Sequence, residues 1–163
     1  MAVTINGTTG ITAPLILGQI VTTALNTVAT GTTPIPFDNT IPQITEGDQY
    51  LSRTITPKNA SSLLEIDVTL VISVATANQQ ITVALFNDTS TNALAVSEAF
   101  MATLGGIVTL SFKHIMTAGT TNTMTFTVRA GGLSGTTSVN GSSGAQHFGG
   151  TYASRITIKE YLP

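Results

Sequence analysis

From Leu64 to Val74 the chain alternates. Leu64, Ile66, Val68, Leu70, Ile72 and Val74 are aliphatic, and Glu65, Asp67, Thr69 and Ser73 between them are polar. A period of two puts one set of side chains on a buried face and the other on a wetted face, as in a half-buried β-strand. The same period returns from Ile81 to Phe86, from Val108 to Phe112 and from Thr123 to Val128. Turn-forming residues separate the runs. Strands are predicted over about 50–56, 62–74, 80–86, 93–101, 107–116, 123–130 and 151–159. Residues 18–28 read as a further strand, because Ile20, Val21, Thr22 and Thr23 disfavour a short helix. Roughly eight or nine antiparallel strands with no helical period predict an all-β jelly-roll sandwich.

Prolines and glycines divide the rest. Pro34 and Pro36 flank Ile35 and confine that stretch to an edge or irregular segment. Gly131 to Gly144 reads as a long Gly/Ser/Thr/Asn loop, of the kind that is mobile or functional. Residues 1–14 read as an extended arm, with turn signals at Asn6-Gly7 and Thr9-Gly10 and apolar residues too sparse for a core. Val3, Ile5 and Ile11 suit strand pairing against a neighbour; a disordered tail is the alternative. Residues 15–163 form one knob domain in this reading.

Charge then narrows the function. Charged residues make up 9% of the 163 residues, against about 25% in an average soluble domain. Net charge is −2, so the basic footprint of a nucleic-acid binder is missing. So little charge with so much apolar content makes an isolated monomer poorly soluble, and much of the surface is expected to be covered by copies of the chain or by a partner. There is no cysteine, hence no disulfide, zinc thiolate or thiol nucleophile. No run approaches the ~18 apolar residues of a membrane span, and the start lacks a signal-peptide pattern. The expected site of synthesis is the cytosol.

No catalytic arrangement emerges. His114 is in register with Val108, Leu110 and Phe112, which predicts a buried hydrogen-bonded or seam histidine rather than a ligand. His147 lies at a loop-to-strand junction, beside Phe148. Glu65 and Asp67 share one strand face, where a charge row opposite Lys or Arg is the expectation and a glycosidase pair lacks its cleft. Asp38, Glu46 and Asp48 lack the spacing of a calcium loop. There is no G-x-S-x-G, and no helix follows Gly131-Gly132-Leu133-Ser134-Gly135 to complete a phosphate cradle. Asn59-Ala60-Ser61, Asn87-Asp88-Thr89 and Asn140-Gly141-Ser142 match the glycosylation sequon, as chance allows in a chain rich in Ser and Thr. No enzyme activity, cofactor or metal is expected.

Three stretches carry a resemblance: Val3 to Thr12; Thr30 to Gln43, continuing through Glu46-Gly47-Asp48; and Phe148-Gly149-Gly150-Thr151, running to Ile156 and Tyr161. Together they resemble bacteriophage tail-fibre and virion-surface proteins. That resemblance implies a jelly-roll knob of the C1q/TNF-like kind, assembled as a homotrimer. Val71, Ala84, Phe86, Ile107 and Ile115 lie on nominally outward strand faces, where a threefold seam would bury them.

Two functions follow from this reading. One is a capsid decoration or cement protein, or short head fibre, held to the virion by Val3, Ile5 and Ile11 of the arm. The alternative is a tail-fibre tip that reads a host glycan through a loop carrying Gly131, Ser134, Asn140 and His147. The expected partners are two further copies, phage capsid or tail proteins and, in the second case, a glycan; neither nucleic acid nor membrane is among them.

Overall fold

The computed structural model describes residues 15–163 in full and, ahead of them, the pairing of β1 (Thr4–Asn6) with β2 (Gly10–Thr12). Two sheets face each other. The first is built on β3 (Ile16–Leu25), β6 (Leu63–Val74), β9 (Ile107–Thr117) and β14 (Ser154–Leu162). Its order is β3-β14-β6-β9, all antiparallel. Above the point where β14 begins, the short strands β4 (Ala29–Gly31) and β11 (Thr137–Val139) continue the sheet beside β6. The second sheet runs β5-β10-β7-β8, from β5 (Asp48–Ile55), β10 (Met124–Gly132), β7 (Gln79–Asn87) and β8 (Ala95–Met101). A ribbon of β12 (Gly141–Ser142) and β13 (Ala145–Gln146) and a 3-10 turn at Phe148–Gly150 precede β14. Consecutive long strands alternate between sheets except at the β7–β8 hairpin, and that crossover order makes the sandwich a jelly roll.

The core is the inner set of the alternation. Leu64, Ile66, Val68, Leu70 and Ile72 of the first sheet meet Ile81, Val83, Leu85, Phe126 and Val128 of the second, all of them buried. The outer positions of β6 remain partly wet as far as Thr69 and are buried beyond it, because the chain leaving β11, and β12 after it, then close over the strand. Residues 16–25 form a strand, as the β-branched run requires.

A strap without regular structure crosses the outside of the second sheet. Ile35, set between two prolines, is 1% exposed and packs with Ala84 and Phe86. Ile35 N donates to Gly132 O (3.3 Å), Gly47 N to Pro34 O (3.0 Å), and the Arg129 guanidinium to Glu46 O (2.9 Å) and Gly47 O (2.7 Å). Gly131 is the residue that permits this approach: a Cβ there would lie 2.5 Å from Thr33 O.

The strap overturns part of the expected seam. Phe86 and Ala84 point outward from the core, but both are 0% exposed because the chain's own Ile35 covers them. Val71 is also buried, at 7% exposure, where the chain leaving β11 closes over β6. Ile107 and Ile115 stay exposed.

Candidate functional site

Two surfaces and one cleft are candidates. The outer face of the first sheet comes first. Register places Ile20, Lys159, Glu65 and Ile115 in one row across four strands. The next row is Thr22, Thr157, Asp67 and Lys113. The four charges interlock. Lys159 Nζ lies 2.7 Å from Glu65 Oε1 and 2.9 Å from Asp67 Oδ2; Lys113 Nζ lies 3.0 Å from Glu65 Oε1 and 3.5 Å from Asp67 Oδ1. The hydrogen bonds from Lys159 and then Lys113 hold the Glu65 carboxyl below its usual range. The bonds to Asp67 and Glu65 raise the Lys159 ammonium, and that to Glu65 raises Lys113. The row of charges expected at Glu65 and Asp67 is therefore present, neutralised from both neighbouring strands. Ile20 (52% exposed) and Ile115 (52%) flank it with unpartnered apolar surface.

The second surface is the end of the sandwich opposite Ile16 and Leu162. Leu104, Leu133 and Phe148 are exposed there, in the turns after β8, β10 and β13. Phe148 stacks edge-on against Tyr152, with centroids 5.2 Å apart, and His147 lies beside it at 6.4 Å. Ser134 is exposed at this end, its N–H donating to Gln79 Oε1 (2.8 Å).

The expected receptor loop is not a free loop. Gly131 is buried in β10 beneath the strap, and Thr137–Val139 is a strand paired on both sides. Asn140 is 0% exposed. Its Nδ2 donates to Leu25 O (2.6 Å) and Thr27 O (3.2 Å), and its Oδ1 accepts from Ser154 N (3.2 Å) and Ser154 Oγ (2.7 Å). Asn140 N donates to Val71 O (2.8 Å), so one residue ties β3, β6 and β14 together. It is a structural bridge. Of the four residues, Ser134 and His147 remain at the surface end.

His114 lies on the inner side of edge strand β9, opposite Ile66, and burial pushes its pKa down. Val3 lies outside the described residues, as do the side chains of Ile5 and Ile11, which stand opposite each other in the β1–β2 register.

A cleft of about 410 Å³ opens where the β7–β8 turn meets β5, β10 and the strap. Ile44, Gln49, Asn87, Asp88, Thr125 and Thr127 line it. Asn87 is 6% exposed, which excludes its sequon as a modification site. Asp88 Oδ2 accepts from Thr125 N (2.8 Å). Asn87 Oδ1 and Thr127 Oγ1 are buried with no hydrogen-bond partner. Sequence reading missed this cleft; the one signal there was the Asn87-Asp88-Thr89 triplet. Among the described residues no group of three or more His, Asp or Glu side chains is placed to hold a metal ion.

Residues 27–163 match the family described as the Pgp3 C-terminal domain, and the chain belongs to that family. No curated protein matches it. Among solved structures it is similar to an Eiger TNF from S. frugiperda (12% identity, 88% of this chain and 93% of that one, TM-score 0.43). It is also similar to the EclA C-terminal domain, a sugar-binding protein (17%, 82% and 83%, 0.36). A third likeness is to a Bacillus endospore appendage protein (14%, 93% and 98%, 0.35). The jelly roll follows from this chain's own strand order.

Proposed function

We propose that the chain is a non-enzymatic structural knob that assembles as a homotrimer on the surface of a particle. The particle is a bacteriophage virion, to which residues 1–14 fasten the knob as a decoration or cement protein. The observation that carries the oligomer is the outer face of the first sheet. Its charges already neutralise one another, so covering them costs less than covering lone ions. Ile20 and Ile115 beside them, and Ile107 farther along β9, add favourable burial at about 25 cal/mol per Å². Family membership supports an assembled, partner-facing domain, and the virion assignment rests on the resemblance of residues 3–12, 30–48 and 148–161 to virion-surface proteins.

The second reading, a tail tip that touches the host, is favoured by the exposed Leu104, Leu133 and Phe148 at the end farthest from the start of β3. Copy number separates the two. Hundreds of copies spread over the head support decoration; a few trimers at the tail support the tip. Sedimentation of the full chain as a monomer refutes the trimer. Deleting residues 1–13 is expected to leave a soluble trimer that no longer binds virions, and undiminished binding refutes the anchor.

A further inference from the structure

The end of the sandwich farthest from Ile16 carries no acidic or basic residue. The turns that build it, residues 26–28, 75–78, 102–106, 133–136 and 143–153, contain no Asp, Glu, Lys or Arg. Hydrogen bonds join them. Gly105 N donates to Val74 O (3.1 Å), Ala75 N to Thr136 O (2.8 Å) and Ser142 Oγ to Gly105 O (2.7 Å). Three large apolar side chains nevertheless stand in water there: Leu104 (67% exposed), Leu133 and Phe148 (73%).

Phe148 is held out at a cost. Its φ is +52°, in the left-handed region that a bulky residue avoids, and Gly149 (+62°) and Gly150 (+84°) continue the turn. Thr151 N (3.1 Å) and Thr151 Oγ1 (2.9 Å) both donate to Phe148 O and keep the turn in shape. Backbone strain of this kind gathers at functional positions. Its product here is an outward aromatic ring, with Tyr152 edge-on against it.

Exposed apolar patches mark contacts with proteins or with membranes. A specific protein contact draws on shape complementarity and on charges placed around the patch. This end has no such charges, and the cleft beside the β7–β8 turn and the groove between Ile41 and Val96 both lie elsewhere. A fluid lipid interface asks for neither. It asks that no fixed charge leave water and that backbone groups at its depth be bonded within the protein. The turn at Leu133 meets the second condition: Ser134 N donates to Gln79 Oε1 (2.8 Å) and Ser134 O accepts from Gln79 Nε2 (2.9 Å).

We infer that this end docks on the interface of a zwitterionic lipid bilayer, with Leu104, Leu133 and Phe148 passing below the headgroups. Moving one such side chain out of water favours binding about ten- to a hundredfold. The expectation of no membrane partner rested on the lack of an apolar run, and a contact assembled from three turns needs no run. Docking is a property of the single subunit and stands apart from the virion assignment.

The test is flotation of the full chain with vesicles of phosphatidylcholine alone, and of phosphatidylcholine with phosphatidylglycerol, at low and high salt. Flotation with both, indifferent to salt, is expected. Phe148→Gly suits the left-handed backbone, so melting is expected to hold while vesicle partition falls about tenfold or more. The double variant Leu104→Ser with Leu133→Ser is expected to lose at least as much. The chain has no tryptophan, so Phe148→Trp introduces a sole reporter, whose emission is expected to shift to the blue on adding phosphatidylcholine vesicles. No flotation with phosphatidylcholine overturns the inference. So does flotation that needs phosphatidylglycerol and fades with salt, since charge elsewhere then makes the contact. Undiminished flotation by either the glycine or the double-serine protein overturns it as well. A smaller oligomer in the Phe148→Gly protein does the same, because this end then meets a second copy.

Discussion

Glu160 is the sharpest test of the physics inside the sandwich. It is 0% exposed, in register with Leu64, and no cation pairs with it among the described residues. Neutral donors hold it: Lys58 N at 2.7 Å and Asn59 N at 3.4 Å on Oε1, and Gln19 Nε2 at 2.6 Å on Oε2. The Ser62 hydroxyl is buried nearby with no bond formed elsewhere. Burial pushes the carboxyl up, and the donors around it more than offset that, so its pKa lies below the ordinary value of 4.5. In Glu160→Gln the amide oxygen can keep the Lys58 bond, but the new NH2 faces the Gln19 amide, donor against donor. Gln19 must then turn and give up its bond to Thr56 O. The loss amounts to about one charge-assisted hydrogen bond, ~2 kcal/mol. For a chain of this size that lowers the melting temperature by roughly 4–8 °C. Because the folded pKa is lowered, the stabilisation is fully present above the unfolded pKa and is lost as pH falls through the folded one. The gap between parent and variant should therefore hold steady near neutral pH and close in acid. Calorimetry at one protein concentration, needed because assembly makes melting concentration-dependent, checks this. Equal melting at neutral pH, or a gap that widens in acid, refutes the account.

Three further substitutions separate seam, core and bridge. Ile115→Asp is expected to dissociate the oligomer, read by sedimentation, while leaving the circular dichroism of the subunit intact. Phe86→Ala is expected to do the reverse, costing about 3–5 kcal/mol in chemical denaturation with no direct effect on association, because the strap already covers that ring. Asn140→Ala is expected to cost about 3 kcal/mol, since it orphans the Leu25 and Thr27 carbonyls and the Ser154 N–H together; a loss within experimental error refutes its role as a bridge.

The strands were legible because one face of each is dry. Leu64 to Leu70, Ile81 to Leu85 and Met124 to Val128 announce themselves by alternation alone, and the sandwich follows. What alternation cannot show is which second face another segment covers. Phe86 and Ala84 look like seam residues until Ile35, remote in sequence, is laid over them by a strap whose prolines hide its role. Thr137 and Ser138 look like loop because they are polar, yet both are buried: Thr137 Oγ1 accepts from Gly132 N, and Ser138 Oγ from Gly144 N. Sequence weighs a hydroxyl as surface, whereas the fold uses these two as backbone partners. The cleft by the β7–β8 turn is lined from β5, β7, β10 and the strap, segments far apart in sequence, so it has no local signature. The Glu65 and Asp67 pair was legible as a charge row because both flanking strands carry lysine on the matching face.

The interlocked lysines and carboxylates on the first sheet reach beyond that sheet. They absorb two of the chain's six basic and two of its eight acidic residues in a group of zero net charge. The rest of the exterior is sparsely ionic and clothed in hydroxyls. Ionic atmosphere therefore has little to grip: knobs of this composition will attract or repel one another almost alike in dilute buffer and in seawater. Salts that are excluded from protein surfaces, such as sulfate, will tighten their packing through the water itself.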